Sequence, residues 1–323
     1  MRIALLIDRD NFEAYSNWED SGWDIIHMGK DDPDRERLVA TGANVLVVDA
    51  MMKIASDTIE NMPRLQLIHS QGVGYNAIDI ESARKAGIYV CNNAGVNAQA
   101  VAEYAVLLIL ALLKRFRWGE DMVYAGRQME AKTACFKNPI PELGSVKVGI
   151  VGFGAIGSTI AALLRPFGCK IRYYTRSGDC GVEGCTYMPL EELYADSDII
   201  SLNVPVTGET ANMVNRQTLK QFKRGAVLIN TSRGELMDHG AVVEALISGR
   251  LGGLGADTLA PEPFLLDNPV LRDLPPEFRD RVALSPHVAG ISEDCFIRVY
   301  SHIKSNIEAL ARSERPDCIV NGL

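Results

Sequence analysis

No apolar run in this sequence is long enough to cross a membrane. The longest, residues 104–113, counts 10 positions between Glu103 and Lys114, half a span and the length of a buried helix. The opening MRIALLIDRD has too short an apolar stretch for a secretory leader, and charged residues follow it. Basic charge is scarce too. The 33 Lys and Arg stand against 41 Asp and Glu, a formal charge of −8, which opposes loose binding to nucleic acid or to anionic membrane. Small anionic substrates stay open, because a local arginine can dominate the field in a pocket. Seven irregularly placed cysteines, an odd count, argue against a closed disulfide framework. The one close pair, Cys180 and Cys185 in CGVEGC, has no nearby His or Cys to complete a metal site. Reduced thiols, no metal and a cytoplasmic protein are therefore expected.

What is present is an alternation. The runs RIALLI, NVLVVD, LQLIHS and IYVCN are separated by segments of helix length. After residue 145 the pattern restarts with VKVGIVG, KIRYYT, DIISLN, AVLINT, GGLGAD and VALSPH. Continuous apolar runs belong to parallel strands buried on both faces. Two such blocks predict an α/β fold of two doubly wound domains, and 323 residues suffice for two cores. Residues 97–115 and 292–312 read as long helices, the crossing to the second domain and the return. The first domain is then discontinuous, 1–98 plus 291–323, and the second spans 99–290. Between the first of these helices and the second block, RWGEDMVYAGRQMEAKTACFKNPIPELGS is either an arm reaching a partner subunit or a plain surface excursion.

VGIVGFGAIGSTIAALL holds Gly152, Gly154 and Gly157 in G-x-G-x-x-G spacing, between an apolar strand and an amphipathic helix. That context marks a dinucleotide site. Gly152 permits the tight turn, Gly154 lets the backbone approach a pyrophosphate, and Gly157 lets helix and strand pack closely. The helix start, through Ala155 and Ile156, offers free N–H groups to the phosphates. A carboxylate for the adenosine ribose is expected about 20 positions further on, yet Thr175-Arg176-Ser177 stands there, 18 positions past Gly157. Nothing there repels a 2′-phosphate, and Arg176 and Ser177 can bind one. The cofactor expected is NADP, with NAD possible.

Three strand-end segments of the second block carry reactive polar groups. Arg233 lies in LINTSRGELMD, Asp257 and Glu262 in LGADTLAPEPF, and His287 in VALSPHVAG. In open α/β sheets ligands bind at the carboxyl ends of strands. At these residues the chain resembles the D-isomer-specific 2-hydroxyacid dehydrogenases. HSQGVGYNAID, VNAQAVAEYAV, LNVPVTGET and the segments above occur in that family's order, over roughly residues 45–300. The intervals match as well, 24 positions from Arg233 to Asp257 and 5 from Asp257 to Glu262.

The resemblance implies a Rossmann dinucleotide-binding domain and a flavodoxin-like substrate domain with a cleft between them. It implies hydride transfer between a nicotinamide cofactor and a D-2-hydroxy acid/2-keto acid pair. Arg233 is then the arginine that holds the carboxylate and polarises the carbonyl, and His287 the acid/base. Glu262 is the partner of the imidazole, and Asp257 the residue that bonds the nicotinamide carboxamide. The N–H groups of Val73 and Gly74 cradle the substrate carboxylate, and Val204, Pro205, Thr210 and Thr231 line the cofactor. A homodimer is implied too. His27, His69, His239 and His302 lack such context and read as structural or exposed. The family's acidic residue after the second strand and its tryptophan before the dinucleotide domain are both missing here.

The resemblance bears on the substrate. Phosphoglycerate is not expected, because Asp49 stands where its users carry arginine and the length leaves no room for a regulatory domain. Glu262 argues against formate. Met51, Met52 and Val96 suggest an apolar pocket for an alkyl or aromatic keto acid, with glyoxylate or hydroxypyruvate as the competing choice. The alternative to an enzyme is a dinucleotide-sensing, corepressor-like binding protein on the same fold.

Overall fold

The computed structural model describes residues 1–18, 21–30 and 34–323. The chain divides into two compact units, Met1–Asn97 with Ile291–Leu323, and Ala98–Gly290.

The first unit holds strands β1 (Arg2–Leu6), β2 (Asp24–His27), β3 (Val45–Val48), β4 (Leu67–Ser70) and β5 (Tyr89–Cys91). They form one parallel sheet in the order β2-β1-β3-β4-β5, the flavodoxin-like order. All four residues of both β3 and β4 are buried, as strands covered on both faces must be. The helix Glu293–Ala311 packs on this unit through a stripe that includes Val299, Ile303 and Ile307. Ser292 caps its start by accepting the Cys295 N–H at 3.1 Å. An aromatic group locks it to the helix Arg9–Tyr15. Phe12 meets Trp18 and Tyr300 edge-on, and the Trp18 indole donates to the Tyr300 carbonyl at 3.2 Å.

The second unit holds β6 (Lys147–Val151), β7 (Lys170–Tyr174), β8 (Cys185–Tyr187), β9 (Ile199–Leu202), β10 (Ala226–Asn230), β11 (Leu251–Ala256) and β12 (Val282–Leu284). Its parallel sheet runs β12-β11-β10-β9-β6-β7-β8. Strand order reverses between β6 and β9, which is where such sheets bind dinucleotides. The helices Ala98–Leu113 and Ala155–Leu164 pack together over this sheet, with Ala102, Ala105 and Ile109 buried against it. The segment read as arm or excursion contains two helices, Phe116–Tyr124 and Gln128–Lys137. They leave Phe116, Tyr124 and Phe136 largely exposed. Among the described residues no helix is long and apolar enough to cross a membrane.

Candidate active site

The turn after β6 shows why its glycines are needed. Gly152 has φ +90, and a Cβ there would lie 2.3 Å from the Asn203 carbonyl oxygen. A Cβ at Gly157 would lie 2.1 Å from the Gly152 oxygen. Gly154 differs: a Cβ there meets no protein atom within 4 Å. The fold demands glycine at positions 152 and 157, and no protein atom demands it at Gly154. Gly154 is also the N-cap of the helix Ala155–Leu164, without a side-chain cap. The first N–H groups, of Ala155, Ile156 and Gly157, therefore stay available to phosphate oxygens.

Thr175, Arg176 and Ser177 follow β7 in a tight turn closed by the Gly178 N–H on the Thr175 carbonyl, at 3.1 Å. The Thr175 and Ser177 hydroxyls lie 3.5 Å apart. Arg176 is 76% exposed, and its nearest carboxylate is Glu209 at 3.9 Å, itself 81% exposed. After β9, Val204 and Pro205 begin a loop that the Thr210 hydroxyl holds together. It donates to the Pro205 carbonyl at 2.6 Å and accepts the Thr207 N–H at 2.7 Å. Thr231, at the end of β10, buries a hydroxyl that has no partner among the described residues.

Arg233, Glu262 and His287 follow β10, β11 and β12. Gly234 sets the first against the second, since a Cβ there would lie 2.2 Å from the Ala260 nitrogen. The Arg233 guanidinium donates to the Ser232 carbonyl at 2.8 Å. Asp238, a conceivable surface partner for Arg233, instead caps the helix His239–Ile247 and lies 4.0 Å from Arg216. His287 Nδ1 lies 2.8 and 3.0 Å from the two Glu262 oxygens. The imidazole thus has Nδ1 engaged and Nε2 left for another group.

His287 has φ +56, a left-handed backbone that costs a non-glycine residue roughly 1–3 kcal/mol. Asp257 supplies the compensation. Its carbonyl accepts the His287 N–H at 2.8 Å. Its buried carboxylate accepts the Ser285 hydroxyl at 2.6 Å and the Val288 and Ala289 N–H groups at 2.9 and 2.8 Å. The loop that presents the imidazole is clamped on both sides of His287.

In the first unit, Val73 and Gly74 lie on the loop after β4. Among the described residues no acceptor takes the N–H of Gly72, Val73 or Gly74. Three successive N–H groups of one loop are thus left free. Met51 is 82% exposed, whereas Met52 is withdrawn into the core of this unit.

Several contributors escaped the sequence reading. Ser285 was silent because a serine before a proline signals only a turn. Asn92 and Asn93, after β5, act on the carbonyls of residues 70–74, and their adjacent amides at a strand end were the one available sign. Among the described residues no cluster of His, Cys, Asp or Glu is placed to hold a metal, and all seven cysteines are free.

Residues 106–289 match the family described as D-isomer specific 2-hydroxyacid dehydrogenase, NAD binding domain. The chain is 36% identical over 286 residues to the glyoxylate reductase of Korarchaeum cryptofilum (strain OPF8), covering 84% of this chain and 82% of that protein. The structure of D-2-hydroxyisocaproate dehydrogenase superposes with a TM-score of 0.86 at 27% identity, over 100% of both chains. An acyclic imino acid reductase in complex with NADPH and D-Arg superposes with a TM-score of 0.82 at 26% identity, over 99% of this chain and 100% of that one.

Proposed function

We propose, from the premise that this chain belongs to the D-isomer-specific 2-hydroxyacid dehydrogenases, how it performs the family's reaction. The protein is an oxidoreductase that moves hydride between a nicotinamide dinucleotide and a 2-hydroxy acid/2-keto acid pair. The proposal concerns its residues, cofactor preference, substrate and assembly. The observation that carries it is the contact of His287 Nδ1 with both Glu262 oxygens, on the sheet edge that also presents Arg233.

When bound, the nicotinamide supplies the hydride. Arg233 binds the keto acid's carboxylate and carbonyl through charge-assisted hydrogen bonds. Charge builds on the carbonyl oxygen as it becomes an alkoxide, and His287 delivers a proton to it from Nε2. Glu262 occupies Nδ1 and fixes the ring. Oxidation runs the same path backwards. The N–H groups of Val73 and Gly74 bind the carboxylate, and Asp257 keeps acceptor capacity on Oδ2 for the nicotinamide carboxamide. Gly152, Gly154, Ala155, Ile156 and Gly157 hold the pyrophosphate. Val204, Pro205, Thr210 and Thr231 shape the rest of the cofactor's bed.

NADP is the preferred cofactor. Thr175 leaves out the carboxylate that repels a 2′-phosphate, and the exposed Arg176 and Ser177 donate to one. A hydrogen bond to a charged group contributes about 1.5–3 kcal/mol, roughly ten- to a hundredfold in affinity. A fluorescence titration with NADPH and NADH tests this, with NADPH expected to bind at least about tenfold tighter. Equal affinities would make Arg176 a solvated loop residue.

The substrate is a small 2-keto acid of the glyoxylate class. Relatives at 32–36% identity are glyoxylate reductases, and Met52 sits in the core, where it builds no apolar pocket wall. A keto-acid series run with NADPH should favour glyoxylate; faster turnover of branched or aromatic acids would overturn the assignment. The exposed apolar side chains of the helices Phe116–Tyr124 and Gln128–Lys137 support a homodimer, which sedimentation checks. A cytoplasmic setting suits the free cysteines.

A further inference from the structure

We propose that Asn93, steadied by His302, is a positioning residue that aims the N–H groups of residues 72–74 at the substrate carboxylate. The inference rests on the reading that Val73 and Gly74 bind that carboxylate. It starts from the carbonyls of the same loop, every one of which is held. Asn93 Nδ2 donates to the Gln71 carbonyl at 2.8 Å and to that of Ser70 at 3.3 Å. The Asn93 N–H donates to the Gly72 carbonyl at 3.0 Å. Asn92 Nδ2 donates to the Val73 carbonyl at 2.7 Å, and the Ser70 hydroxyl to that of Gly74 at 2.6 Å. His69 Nδ1 adds a second bond to the Ser70 carbonyl, at 2.9 Å.

A peptide plane whose carbonyl is tied inward turns its neighbour's N–H outward. The donors around this loop thus determine that N–H groups, and not carbonyl oxygens, face an approaching anion. Asn93 is the centre of that arrangement, since it alone holds three of the five carbonyls and is almost wholly buried.

An amide can be seated either way round, and the reverse seating would set its oxygen against two carbonyl oxygens. His302 supports the observed seating. Its Nδ1 lies 2.8 Å from Asn93 Oδ1, so the Nδ1–H tautomer donates to the amide oxygen and leaves Nδ2 for the loop. His302 sits on the helix Glu293–Ala311, whose Tyr300 also holds the loop by accepting from Gln71 Nε2 at 2.7 Å.

The test is steady-state kinetics at saturating NADPH, with the 2-keto acid that the wild type reduces fastest. Asn93→Ala should raise KM about tenfold or more, the worth of roughly one charge-assisted hydrogen bond. Its kcat and NADPH affinity should remain near wild type. His302→Leu should raise KM several-fold, and His302→Asn, which keeps a donor near the Nδ1 position, should restore it. Val73→Pro removes an N–H from the cradle and tests the underlying reading separately. An unchanged KM in Val73→Pro would remove the loop from carboxylate binding. A raised KM there, with KM unchanged in Asn93→Ala and His302→Leu, would overturn the positioning role alone. Equal losses in kcat, KM and NADPH affinity would reduce Asn93 to a general structural residue and also overturn it. Should Asn93→Ala fail to fold, the two His302 variants decide.

Discussion

His287 is held where a histidine backbone does not ordinarily rest, and Asp257 is the residue that holds it there. Its carboxylate takes three donors from the segment that carries the imidazole. Asp257→Asn keeps the shape but sets an N–H against one of those donors. A buried unsatisfied group costs about 1–3 kcal/mol, so thermal unfolding should shift down by a matching amount. Turnover should fall with it, since the imidazole loses its fixed aim. Unchanged melting and turnover would show that the clamp contributes nothing. Arg233, Glu262 and His287 could be singled out in the sequence because each follows an apolar strand and the spacing matches a family. The clamp could not, because two of its three donors are the backbone N–H groups of Val288 and Ala289, 31 and 32 positions away, which leave no mark on residue type, and the third is the Ser285 hydroxyl before a proline. Asn93 was hidden for the same reason: it acts on carbonyls, and any residue supplies those.

Among the elements, the strands buried on both faces were legible, as were the edge strands β5 and β12, while the edge strands β2 and β8 were not. β3 and β4 read as continuous apolar runs because both faces are covered. β2 and β8 went unread; they are short edge strands with largely half-exposed residues, and DIIH and CTY carry no such run. The two helices after Leu113 were also missed as helices. The second, Gln128–Lys137, lacks the one-sided apolar stripe that marks a surface helix. The turn after β6 offers a sharper test. Gly152→Ala forces a Cβ into the Asn203 carbonyl at a left-handed φ, so it should lower the melting temperature markedly and weaken NADPH. Gly154→Ala meets no protein atom, so it should lower melting far less than Gly152→Ala while still weakening NADPH. Equal melting of the two variants would remove the distinction between a folding glycine and a ligand glycine.

For the whole molecule, the four histidines outside the reacting centre set a pH dependence of folding. Burial lowers the pKa of His69 to about 3 and also lowers those of His27, His239 and His302. The folded chain therefore keeps these rings neutral while the unfolded chain protonates them near pH 6.5. Their contribution is full above about pH 6.5 and is lost progressively as pH falls toward the folded values. The denaturant midpoint should drop between about pH 7 and pH 5, and an asparagine at position 69 should flatten the slope. An unchanged midpoint over that window would contradict the buried, neutral state of His69. The most direct check on the chemistry is NADPH oxidation by glyoxylate, wild type against His287→Ala, with NADPH binding measured on both. The variant should bind NADPH as the wild type does and lose about 10²–10⁴-fold in turnover, the usual contribution of a positioned acid/base. Near-normal turnover in a variant that binds NADPH normally would take His287 out of the mechanism, and with it the proton path from Nε2.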